Sequence, residues 1–161
     1  MTTDGVLETK DGKKVLRFER RLAHPVERVW AALTEPEELI GWLAAAEVDL
    51  GGGQVVLRWQ NEGGPTMQAK ITALAPPTLI EYEGDPHGRL RWELRPDGDA
   101  TVLTFTATGF YPDDQVSLVL AGWHWHLDAL AESLQGTRAD FANLPDDRWE
   151  AVHRRYVAQV G

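Results

Sequence analysis

The chain has no cysteine among its 161 residues. That absence removes disulfides, thiolate nucleophiles and cysteine metal sites together, and it favours a reducing, cytosolic setting. Long apolar runs are missing as well. Nothing approaches the roughly 20 residues of a membrane span, and the opening MTTDGVLETKDGKK lacks the apolar segment of a secretory signal. A soluble, unprocessed, cytoplasmic protein is expected. Serine is scarce: Ser117 and Ser133 stand outside any G-x-S-x-G elbow, so a serine nucleophile has no support. Positive charge is in deficit, with 16 Lys and Arg against 25 Asp and Glu, giving a net charge of −9. A field of that sign repels phosphate backbones and anionic lipid, so neither a nucleic-acid nor a membrane partner is expected. The local exception, Lys13, Lys14, Arg17, Arg20 and Arg21, reads as a solvated strand face.

Aromatic surface is abundant. Seven tryptophans bring large apolar faces, each with an N–H that needs a partner when buried. From Val116 to Gly136 the chain reads VSLVLAGWHWHLDALAESLQG. On a helix, Val116, Leu120, Trp123, Leu127, Leu130 and Leu134 fall into one apolar stripe through alternating steps of four and three. The acids Asp113 and Asp114 suit the positive end of that helix, and Gly136 suits its exit.

Before this helix the period is mostly two. Val6 to Thr9 and Lys14 to Leu22 flank an Asp11-Gly12 turn, with Leu16, Phe18, Arg20 and Leu22 on one face. Pro25 opens a short helix with Val26, Val29, Trp30 and Leu33 on its apolar side. Thr34 and Glu37 have capping-box spacing for a second short helix carrying Leu39, Ile40, Trp42 and Leu43. Alternation resumes in 47–50, 54–60, 66–74, 78–83, 89–95 and 101–110, separated by Gly- and Pro-rich turns that include Gly51 to Gly53, Asn61 to Pro65 and Gly84 to Gly88. A last helix, 145–160, has Trp149, Val152 or His153, and Tyr156 on its buried edge. The fold class is therefore α+β: six to seven antiparallel strands, two short helices after the first strands, one long closing helix and a small extra one. The expected organisation is one domain over 1–161, with a core of about 6–136 and an extension over 137–161.

Four phrases carry a resemblance: FERRLAHPVERVWAALTEPEELIGWL (18–43), EVDLGGG (47–53), TVLTFTATGF (101–110) and GWHWHLDALAESLQG (122–136). They resemble the SRPBCC superfamily, also called START-like or Bet v-type, and within it the branch named for the activator of heat-shock protein 90 ATPase. The resemblance implies a helix-grip fold, a curved sheet wrapped around the long helix, with a cavity between them that in many relatives holds an apolar small molecule. The positions it implies for pocket walls are Trp30 and Trp42 on the short helices, Trp59, Tyr82, Trp92 and Phe105 on strands, and Trp123, Leu127 and Leu130 on the long helix. Chaperone regulation in the namesake draws on another domain as well, for which 161 residues leave no room.

The chemistry legible in the residues is thin. His126 lies at the edge of the stripe, about 60° from Trp123 at 100° per residue, and can offer an imidazole to a ligand. His124 and Asp128, at i and i+4, can meet in a local hydrogen bond. No third ligand accompanies them, so no metal, cofactor or catalytic residue is assigned. The expected function is binding of a small hydrophobic or amphipathic ligand, held by apolar burial and oriented by His126, a tryptophan N–H or Tyr82. Two alternatives stay open: a protein-interaction module modulating a chaperone or other partner, and an enzyme of cyclase, dehydratase or hydrolase type in the same cavity. A homodimer through a strand edge or the tail helix is also left open.

Overall fold

The computed structural model describes residues 4–60, 65–141 and 146–160. Eight strands form one antiparallel sheet: β1 (Val6–Lys10), β2 (Lys13–Leu22), β3 (Ala45–Asp49), β4 (Gln54–Arg58), β5 (Thr66–Ala75), β6 (Leu79–Gly84), β7 (Gly88–Asp97) and β8 (Ala100–Gly109). Their spatial order is β1-β2-β8-β7-β6-β5-β4-β3. The strands outnumber the expected six to seven because every alternating segment pairs, including the short β1 and β3 at the two edges. A register shift between Ile71 and Ala73 breaks the β5–β6 ladder, the local irregularity that bends a sheet.

Two short helices follow β2, α1 (Val26–Thr34) and α2 (Pro36–Leu39). The expected capping box is absent. Thr34 is the last residue of α1, and its Oγ1 donates to the Trp30 carbonyl one turn back at 2.8 Å, so it cannot cap α2. Glu35 takes the cap position in extended backbone, without a side-chain cap. Pro25 stands at the N-cap of α1, one place before the first helical turn.

A short 3-10 turn over Asp113–Gln115 leads into the long helix α3 (Val116–Leu134), and Gly136 follows its end at φ 101°. All six stripe residues of α3 are buried. The helix is buried on more than that stripe, because Ala121, His124, Trp125 and Ala129 are covered too. The second cover is α4 (Asp147–Val160), which buries Val152 and Tyr156 against it. The Trp125 indole N–H donates to Asp146 Oδ2 at 3.2 Å just before α4 begins.

The basic run on β2 is not wholly solvated. Arg20 points inward with Leu16, Phe18 and Leu22, is 7% exposed, and its Nη1 donates to Asp128 Oδ1 of α3 at 2.8 Å. A buried guanidinium needs such a partner, and the ion pair ties the sheet to the helix it wraps. Arg17 and Arg21 do face outward, paired with Glu8 and Asp97.

Candidate functional site

Between the first half of α3 and the hairpin ends of the sheet lies a cleft of about 240 Å³. Its walls are Trp59 and Pro65 between β4 and β5, His87 in the β6–β7 turn, and Leu118, Val119, Gly122, Trp123 and His126 on α3. The volume falls below the range of roughly 300 Å³ upward that a drug-sized ligand needs. The reason is the core beneath. Trp92 stacks on Phe105 with ring centroids 4.0 Å apart, Trp42 meets Trp92 edge-on at 5.6 Å, and Phe105 meets Trp123 at 4.6 Å. Rings that could have walled a deep cavity fill it instead.

Each expected wall residue has a definite place. Trp59, Trp123 and His126 are brought together at the cleft. Trp42, Tyr82, Trp92, Phe105, Leu127 and Leu130 are buried in the core. The Trp42 N–H donates to the Ala32 carbonyl at 2.9 Å and the Trp92 N–H to the Tyr82 hydroxyl at 3.1 Å, so their polar atoms are used internally. Trp30, half-buried on α1, packs against that core away from the cleft walls.

His87, Pro65, Leu118, Val119 and Gly122 were not anticipated. His87 sits in a turn held open by glycine at both ends: Gly84 pairs with Gly88 across the hairpin. A Cβ at Gly84 would lie 2.2 Å from the Gln68 carbonyl oxygen, and Gly88 has φ 80°, a region that suits glycine. The Tyr111 hydroxyl then donates to the His87 carbonyl at 2.7 Å and fixes the turn from the other side. A turn residue has no period, so alternation alone does not mark it.

Four rings frame the opening. Trp59 stands edge-on to His87 at 4.9 Å and to Trp123 at 5.7 Å, and it lies 5.4 Å from His126. His126 Nδ1 is 2.8 Å from the Trp42 carbonyl oxygen. A carbonyl only accepts, so Nδ1 carries the proton and Nε2 is the ring's acceptor. Burial pushes the His126 pKa down to about 4, against the pull of that carbonyl and with help from nearby His87. Burial likewise brings His87 to about 4. Both imidazoles are neutral at pH 7, and among the described residues no wall residue of the cleft is ionised. Two buried polar atoms of this frame, Trp59 Nε1 and His87 Nε2, have no hydrogen-bond partner among the described residues.

His124, two residues before His126, belongs elsewhere. Its Nδ1 bonds the Tyr156 hydroxyl at 2.8 Å, and its Nε2 comes only to 3.6 Å from Asp128 Oδ2, longer than the local hydrogen bond expected from their spacing. Among the described residues no three His, Asp or Glu side chains gather as a metal site, and no helix is long and apolar enough to cross a membrane.

The family model for the Activator of Hsp90 ATPase homolog 1-like proteins matches residues 23–135, from the end of β2 to the end of α3. The chain belongs to this family. Solved structures share its fold. CalU16 from Micromonospora echinospora superposes with a TM-score of 0.74 at 20% identity, covering 99% of each chain. A conserved protein of unknown function from Enterococcus faecalis, EF2215, gives 0.76 at 17% identity over 97% of this chain and 90% of its own. The BPP1335 protein of Bordetella parapertussis gives 0.68 at 24% identity over 89% and 84%. No curated protein matches the chain in sequence. The helix-grip architecture expected from the sequence is the one observed, and family and fold agree on it.

Proposed function

We propose that this member of the family binds a small hydrophobic or amphipathic molecule in the cleft between the sheet and the first half of α3. The observation that carries the reading is the pair of polar atoms, Trp59 Nε1 and His87 Nε2, without a hydrogen-bond partner among the described residues and set in a largely apolar, aromatic wall. A few polar groups within an apolar concavity are what orient a small ligand, and buried groups without partners are costly unless something else satisfies them. The apolar walls supply affinity by burial. The filled core beneath limits the ligand to the cleft and makes Trp123, which touches both, the reporter of occupancy.

Native mass spectrometry of the freshly purified protein, followed by denaturing extraction, tests this. A stoichiometric small molecule, or a tryptophan fluorescence response to a panel of apolar probes, is the expected result. Neither a retained molecule nor any response to the panel overturns the reading.

A further inference from the structure

The cleft's chemistry goes further than apolarity. We propose that it selects uncharged ring compounds of about two fused rings that carry a hydroxyl, and that it discriminates against the corresponding carboxylates. This rests on the reading of the cleft as a ligand site.

Size sets the first limit. A dry apolar cavity of about 150 Å³ holds one benzene. At about 240 Å³ this cleft has room for a second ring. The wall agrees with it, because Trp59 and Trp123 pack edge-on against one another at 5.7 Å and together line the cleft with aromatic surface.

Hydrogen-bond polarity sets the second limit. Trp59 Nε1–H can only donate, so the ligand must offer it an acceptor. His87 Nε2 lies on the neighbouring ring, 4.9 Å from Trp59 by centroids, and is equally without a partner among the described residues. A hydroxyl suits both atoms, because it accepts from the indole and can either donate to or accept from the imidazole, whichever tautomer that ring holds. His126, 5.4 Å from Trp59 by centroids, adds an acceptor at Nε2, since its Nδ1–H is spent on the Trp42 carbonyl.

Charge sets the third. Among the described residues the cleft walls hold no lysine or arginine. A carboxylate entering it would lose its hydration without gaining a cation.

The full-length protein is titrated at pH 7.5 with naphthalene, 2-naphthol and 2-naphthoate, each up to its solubility limit, by calorimetry and by indole N–H resonances. Trp59 is identified by its loss in Trp59→Phe. The expected result is 2-naphthol binding about tenfold or more tighter than naphthalene and than 2-naphthoate, with the Trp59 indole proton shifted by 2-naphthol and not by naphthalene. In Trp59→Phe the advantage over naphthalene shrinks. The indole shift in the unaltered protein stands as evidence even if that variant folds poorly. Equal affinity for naphthalene and 2-naphthol overturns the polar selection and leaves the cleft a ligand site. Naphthoate binding as tightly as naphthol overturns the charge selection and likewise leaves the site. Binding of none of the three overturns the cleft reading and this inference together.

Discussion

Tyr156→Phe tests whether α4, which lies beyond the stretch matched by the family model, folds as one unit with the rest. The Tyr156 side chain is fully buried. Its hydroxyl accepts from the Gly5 backbone N–H at 2.7 Å and bonds His124 Nδ1 at 2.8 Å, joining the N-terminal segment, α3 and α4 at one oxygen. Burial pushes the phenol up to about 12, so it keeps its proton and donates to the imidazole, which burial in turn holds neutral. Removing one oxygen atom leaves two buried groups unpaired with almost no change in volume. At about 1–3 kcal/mol for each abandoned partner, less the desolvation of the lost hydroxyl, the loss is about 2–4 kcal/mol. For a domain of this size that is a fall in melting temperature of roughly 5–15 °C. Urea unfolding with an unchanged slope and a lower midpoint is the expected signature, accompanied by faster exchange of the Gly5 amide. A loss below about 0.5 kcal/mol would refute the reasoning, and a reduced slope would show α4 separating from the core on its own.

Stability also depends on pH through His87 and His126. Burial lowers both to about 4, below the ordinary value of 6.5. The unfolded chain therefore binds protons that the folded chain refuses, so stability is full above about pH 6.5 and falls as pH drops toward 4, by up to about 3 kcal/mol for each ring. Urea midpoints at pH 7.5, 6 and 5 check this, and a flat profile across that window would sink it. At Gly122 an added Cβ meets nothing within 4 Å and the position borders the cleft. Gly122→Leu should keep or raise stability, since glycine in a helix interior costs about 1 kcal/mol, while weakening 2-naphthol binding about tenfold or more; unchanged affinity would place the ligand elsewhere. Gly84→Ala should do the opposite. Its Cβ would come within 2.2 Å of the backbone oxygen of Gln68, which cannot yield as a side chain would, and a loss of about 2 kcal/mol or more is expected in thermal melts. A melting temperature equal to the parent's would show that the β6–β7 turn does not need that close approach.

The elements were legible where a period runs long enough to repeat. The α3 stripe and the inward set of β2 both hold, down to Arg20 on the apolar face. Its partner was not legible, because Asp128 lies 108 residues away and no local pattern links them. The capping box failed for a local reason: Thr34 has the correct spacing to Glu37, but its hydroxyl also reaches the carbonyl four residues back, and that bond is the one formed. Composition marked the aromatic excess without saying whether the rings meet each other or a void.

The site divides along the same line. Trp123 and His126 follow from the helix period and Trp59 from the end of a strand, so three of the four framing rings could be named in advance. His87 could not be named from periodicity, yet the antiparallel order carries the information. In a run of sequential antiparallel strands from β4 to β7, the connection after β4 and the connection after β6 must emerge at the same end of the sheet. That geometry puts Trp59 and His87 at one end of the sheet, where their rings meet at 4.9 Å, and it is the end to which β8 returns before α3 begins. The hydroxyl of Tyr111, just past β8, completes the arrangement by holding the His87 turn through its carbonyl. The cleft's polarity thus comes from topology acting on two turn-proximal side chains, while its apolar wall comes from the helix stripe. Substitution at His87 should therefore change which ligands bind more than how stably the sheet folds.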